Sequence, residues 1–206
     1  GVHLKEKQYI TRKEQAVLTK KKIFDTTIFL IRKKGYSKIT IREICQNAEI
    51  SVGTFYLYFL SKDDILLDLY SKVNQKLQDS AAIQNNDTPE KMLLFLVKAF
   101  WEQLEVSFEK ELLSEIYRIT LSQRKDMLLS EGQPFFQLLW EASGLFLKEK
   151  SIGGTAGPDQ LAKSIAVKIQ GYLFHWLVTE DISFSETREE CLEDLRQFLT
   201  NLYITG

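Results

Sequence analysis

Between Thr40 and Lys62 the chain reads TIREICQNAEISVGTFYLYFLSK, a segment whose spacing fits two short helices joined by a tight turn. Thr40 followed by Glu43 matches a capping box, in which a hydroxyl and a carboxylate each satisfy an orphan backbone N–H at a helix start. Ile41, Ile44, Cys45 and Ala48 then recur at helical spacing as one narrow apolar stripe. The stripe ends in the turn Asn47-Ala48-Glu49, and Ser51 offers a second cap, so the next helix is expected over about 52–59. This is the build of a helix-turn-helix, whose second helix places its N-terminal residues at base edges in the DNA major groove. Gly53 inside that helix costs roughly 1 kcal/mol relative to Ala; close approach to a DNA backbone or base edge accounts for its presence. Phe55 and Phe59 share a face with core character, whereas Tyr56 and Tyr58 leave phenolic hydroxyls for phosphate oxygens. Ser61 is expected to cap a further helix with Lys62, Asp63 and Asp64 in its first turn, giving an anion site at its N-terminus and a phosphate contact from Lys62.

The string from Lys21 to Leu66, KKIFDTTIFLIRKKGYSKITIREICQNAEISVGTFYLYFLSKDDIL, resembles the DNA-binding domain of the TetR family of transcriptional regulators, a likeness reaching to about Leu69. The features that carry it are the helix ending at Gly35, the aromatic Tyr36, the Thr40-Ile41-Arg42-Glu43-Ile44 start, the block Ser51 to Tyr56, Phe59 and Lys62. The resemblance implies phosphate contacts from Thr40, Tyr56, Tyr58 and Lys62, and base-proximal positions for Arg42, Val52, Gly53 and Thr54. Three residues depart from the family pattern. Cys45 stands where Ala is usual, Glu49 where Gly is usual, and Tyr58 where His is frequent. A Glu at a turn position that requires positive φ is strained by about 1 kcal/mol.

Charge divides the chain at the same place. The whole sequence carries a net charge of −1, but through Lys62 there are 13 Lys and Arg against 5 Asp and Glu, leaving 14 against 23 for the remainder. The N-terminal part is therefore the polyanion-facing part. Arg12-Lys13, Lys20-Lys21-Lys22 and Arg32-Lys33-Lys34 supply much of the excess. Each cluster alone reads as a solvated helical face; beside a helix-turn-helix, phosphate neutralisation and counterion release give them a second use. Residues 1–19 are expected to form a basic, partly mobile extension.

Cys45 and Cys191 lie far apart in helical patterns and read as small buried residues of a reduced protein, so no disulfide is expected. No apolar run approaches the length of about 18 residues that a membrane span needs, and the N-terminus is too charged for a signal peptide, which predicts a cytoplasmic protein with no membrane partner.

Beyond Leu69 the pattern is helical throughout, with no period-2 alternation. The helix after Ser61 continues to about Gln78, and Thr88-Pro89 opens another running to about Glu105. Further helices are expected over about 110–130, 134–150, 159–179 and 185–203, with Gly153 to Pro158 as a loop. The predicted fold class is all-α with about nine helices. An N-terminal three-helix DNA-binding domain spans residues 20–69, and a helical effector-binding and dimerisation domain spans 70–206.

Two amphipathic stripes close the chain, one through Ile165, Ile169 and Trp176 and one through Leu195, Phe198 and Leu202. They are either consumed in the monomer core or, as the resemblance implies, paired with their copies about a two-fold axis. A homodimer suits a short recognition helix, since two half-sites add specificity that one lacks. Effector-pocket candidates are Phe100, Trp101, Tyr117, Trp140, Tyr172 and His175, aromatic and polar residues of the middle and later helices that serve equally well as ordinary core. Arg118 and Arg124 suit an anionic effector or a solvated face.

Of the two histidines, His3 lies in the extension and His175 on a helix, and the HExxH, CxxC, GxSxG and GxxxxGK[ST] patterns are all missing from the sequence. No enzyme, metal or cofactor is expected. The sequence thus predicts a ligand-responsive regulator, a repressor in the main reading, that binds a double-stranded DNA operator. The rival readings are an activator and an all-helical interaction module that does not bind DNA.

Overall fold

The computed structural model describes residues 11–81, 88–123, 130, 132–152 and 157–204, and these form nine α-helices and one 3-10 turn. They fall into two compact units, meeting in sequence at Leu66 and Leu67.

The first unit opens with α1 (Arg12–Lys34). Thr11 Oγ1 accepts from the Glu14 N–H at 3.2 Å while the Thr11 N–H donates to the Glu14 carboxylate at 2.7 Å, a complete capping box. Residues 12–19, expected within a loose extension, are therefore helical; residues 1–10, with His3, lie outside the described residues. Ile23, Phe24, Thr27, Ile28 and Ile31 form the buried face of α1. Arg32, Lys33 and Lys34 occupy its last turn, where cations complement the helix dipole, and Gly35 ends it at φ 86°, a conformation open to glycine at little cost. A 3-10 turn (Tyr36–Lys38) leads to α2 (Ile41–Ala48) and α3 (Val52–Tyr58), with α1 packed on α2 and α2 on α3.

Between α2 and α3, Glu49 adopts φ 53° and ψ 47°, the left-handed conformation. Its N–H donates to the Gln46 carbonyl at 3.3 Å and the Ile50 N–H to the Cys45 carbonyl at 3.0 Å, the paired bonds of a Schellman ending. The strain expected of Glu49 is thus present, held by two backbone bonds and an exposed ion pair to Lys22 at 3.3 Å. Such a pair is worth little in water. Glu49→Gly is expected to raise the stability of the chain by about 1 kcal/mol, read as a higher urea midpoint at unchanged slope.

Helix α4 (Lys62–Ala81) starts in the first unit and continues into the second. The second unit adds α5 (Pro89–Ser107), α6 (Lys110–Gln123), α7 (Pro134–Glu149), α8 (Pro158–Val178) and α9 (Phe184–Ile204). Pro stands at the first position of α5, α7 and α8, where its missing N–H costs nothing. Within this unit α7 packs on α5 and α8, and α9 packs on α8 and α5. Residues 124–129, expected to extend α6 and including Arg124, and residues 153–156 of the expected glycine-rich loop lie outside the described residues. Among the described residues no helix is long and apolar enough to cross a membrane.

Candidate nucleic-acid interface

Two hydroxyls set the starts of the helix pair. Thr40 Oγ1 accepts from the Glu43 N–H at 3.2 Å, and Ser51 Oγ accepts from the Thr54 N–H at 3.0 Å. The expected Thr40–Glu43 capping box is only half formed, because the Glu43 carboxylate is drawn to the Lys34 ammonium in an ion pair between α2 and the end of α1. Helix α3 is anchored by Phe55, fully buried, whose ring meets Tyr56 edge-on at 5.5 Å and Phe59 at 6.1 Å. Because Phe55 faces the core, the opposite face of α3 is left to solvent: Val52 is 44% exposed, Tyr56 50% and Leu57 80%. Gly53 and Arg42 are exposed as well, while Thr54 and Tyr58 are half-buried. The base-proximal candidates Arg42, Val52, Gly53 and Thr54 and the phosphate candidates Thr40, Tyr56 and Tyr58 therefore lie on α2, α3 and the cap of α2, none of them fully buried.

Lys62 behaves otherwise. Its ammonium donates to the carbonyls of Tyr36 at 2.8 Å and Ile39 at 3.0 Å and lies 4.3 Å from the centre of the Tyr36 ring. Tyr36 in turn donates its phenol to Asp63. Within the chain, Lys62 clamps the segment between α1 and α2 to the start of α4, satisfying carbonyls that the 3-10 turn leaves open. The anion site expected at the start of α4 is likewise filled from within. Asp64 Oδ2 accepts from the Leu60 N–H at 2.8 Å and the Ser61 N–H at 3.2 Å, while Ser61 Oγ caps the Asp64 N–H at 3.3 Å.

A Cβ built on Gly53 would meet only Ser51 Oγ, at 3.7 Å. Nothing among the described residues requires glycine there. Gly53→Ala is therefore expected to stabilise the fold by roughly 0.5–1 kcal/mol and, if the position faces DNA at close range, to weaken DNA binding; parallel urea and DNA titrations separate the two effects. Cys45 is buried, and burial raises its thiol above the ordinary range.

In the second unit the six effector candidates differ in burial. Phe100 and Trp101 are fully buried, Phe100 stacked on Phe135 at 4.5 Å and Trp101 against Phe184 at 5.0 Å. These rings are core, joining α5 to α7 and α9. Trp140 is 43% exposed on α7, and His175 is exposed on α8. Tyr117 is half-buried on α6. Tyr172 faces α9, where burial first and then Asp194 raise its phenol above the ordinary value. Asn74 on α4, Thr120 on α6 and Ser143 on α7 each hold a buried oxygen that completes no hydrogen bond among the described residues. Periodicity could not flag these, since a small polar residue at a core position looks the same whether or not its partner is present. Cys191 is pushed up to about 12, chiefly by burial, with the Trp101 indole N–H acting in the opposite sense.

The dimer candidates differ in burial as well. Ile165, Ile169, Leu195 and Trp176 are buried within the chain, consumed where α8 packs on α9 and on Phe184, and Phe198 and Leu202 are half-buried. The face of α8 that stays open carries Val167 at 66%, Phe174 at 53% and Val178 at 63% exposure, with exposed Gly171 between them. Their spacing of three or four residues makes one apolar stripe.

Residues 23–69, the span of the helix-turn-helix and its flanking helices, match the model of bacterial regulatory proteins of the tetR family. That match lies within the first unit and the start of α4, so the likeness to the family is one of this segment. Among curated relatives, the chain is similar to the HTH-type transcriptional repressor KstR of Mycolicibacterium smegmatis, 32% identical over 81 residues. That match covers 38% of this chain and spans only 39% of the repressor's length. A longer match, 28% identical over 191 residues, covers 85% of the chain and 91% of an uncharacterised HTH-type regulator of Lactococcus lactis. The fold is shared with FadR of Thermus thermophilus, a TetR-family repressor solved with lauroyl-CoA. That structure has a TM-score of 0.70 at 20% identity, covering 88% of this chain and 93% of that one.

Proposed function

We propose that this chain is a ligand-responsive transcriptional repressor that binds a roughly palindromic operator as a homodimer. The observation that carries the reading is the solvent-facing side of α3, held outward by buried Phe55, in the part of the chain where Lys and Arg outnumber Asp and Glu by 13 to 5. Thr40, Tyr56 and Tyr58 fix the register on phosphates, Arg42, Val52, Gly53 and Thr54 face the bases, and Lys62 holds the helix pair in place from behind. The open stripe Val167, Gly171, Phe174 and Val178 is the surface through which two copies pair.

The effector binds in the interior of the second unit. Asn74, Thr120 and Ser143 supply polar atoms that a ligand would satisfy, within an otherwise apolar core. An acyl-CoA is the first class to test, because FadR of Thermus thermophilus, which shares the fold, was solved with lauroyl-CoA. A full reversal of the DNA-binding equilibrium requires differential affinity of about 5.5 kcal/mol for the two states.

Selection from a random duplex pool with the full-length protein is expected to return inverted half-sites, and lauroyl-CoA, but not CoA alone, to change affinity for the selected duplex. Enrichment of no sequence would reject the regulator reading; an unchanged affinity with lauroyl-CoA would reject the acyl effector.

A further inference from the structure

The recognition helix of this chain lacks the side chains that usually distinguish bases by hydrogen bonding. The seven residues of α3, VGTFYLY, include no Arg or Lys to read guanine, no Asn or Gln to read adenine, and no Asp or Glu to read cytosine. Thr54 is half-buried, and its hydroxyl is engaged with Ser51 Oγ at 2.8 Å. What α3 does present outward is aliphatic or aromatic: Val52, Tyr56 and Leu57, the last 80% exposed. One base mark in the major groove is recognised by apolar contact alone, the 5-methyl group of thymine. The Tyr56 phenol ends in a hydroxyl suited to phosphate, which leaves Val52 and Leu57 as purely aliphatic groups.

We infer that α3 reads thymine 5-methyl groups through Val52 and Leu57, so that each half-site of the operator carries thymines facing this helix. Such a patch would elsewhere suggest a protein partner. Here the excess of positive charge in the same part of the chain, with exposed Arg42 on the preceding helix, commits it to duplex DNA. The inference rests on the DNA-binding reading above and deepens it.

The test uses the full-length protein and the duplex recovered by selection, with each thymine replaced in turn by deoxyuridine, which removes only the methyl group. At one or more positions in each half-site the replacement is expected to weaken binding by roughly 3- to 10-fold, the effect of one uncovered methyl contact. In Val52→Ala or Leu57→Ala the penalty at the position that side chain covers is expected to disappear, with the other penalties unchanged. Both side chains are exposed, so both variants retain the fold, which circular dichroism checks. Equal affinity for every deoxyuridine duplex would overturn the inference while leaving DNA binding intact, as would penalties that persist in both variants. Failure to select any duplex would remove the DNA-binding reading and this inference with it.

Discussion

Phe55→Ala is expected to cost about 3–5 kcal/mol, the largest loss from any single substitution in the first unit. Phe55 has no exposed surface, and the unit core around it includes Ile23, Ile44 and Ala48, also fully buried. The helix that carries it has only seven residues, too short to persist without packing. Removing the ring therefore does more than open a cavity; it removes the anchor that turns Val52, Tyr56 and Leu57 outward. Urea unfolding followed by far-UV circular dichroism, with amide exchange of α2 and α3, measures the loss. A cost below about 1 kcal/mol, the range of a surface change, would show that α3 is held by something other than Phe55.

A comparable loss, about 3–5 kcal/mol, is expected for Trp101→Ala in the second unit. Trp101 is fully buried against Phe184, whose ring also meets Trp176 at 4.8 Å. One cluster thus ties α5, α8 and the start of α9 together. The Lys110 ammonium closes it from one side, 5.0 Å from the centre of the Trp176 ring and donating to the Thr179 carbonyl at 2.6 Å. Sequence reasoning placed Trp101 among the effector candidates, and the two roles separate cleanly. A core residue loses stability when truncated, whereas a pocket residue changes the ligand response at nearly constant stability. Urea unfolding of the full-length variant decides between them.

What was legible in the sequence was chiefly what local chemistry determines. The caps at Thr40, Ser51 and Thr88 and the prolines at 89 and 134 mark helix starts because each satisfies or removes an orphan N–H, whereas Pro158, expected in a loop, opens α8. The strain at Glu49 was legible for the same reason, as a residue type set against a turn geometry. The start of α1 at Arg12 is spelled by the capping box of Thr11 and Glu14, a local signal set within a basic segment whose composition alone suggests a loose extension. Side-chain direction was the harder part. Lys62 turns inward because folding brings the Tyr36 and Ile39 carbonyls to it from residues more than twenty positions earlier, a fact no local window contains. Trp140 is 43% exposed on α7, while Ile165, whose stripe suits a second copy, is fully buried within the chain. An amphipathic stripe shows which residues want cover, not which neighbour covers them.

The central claim is that the first unit binds duplex DNA largely through its phosphates. Its most direct test is the dissociation constant of the full-length protein for the selected duplex, measured across a series of salt concentrations. With several phosphates neutralised, log affinity is expected to fall linearly with log salt at a slope near −0.9 per phosphate contact, amounting to a loss of at least tenfold between about 50 and 200 mM. An affinity that stays flat over that range would contradict the account.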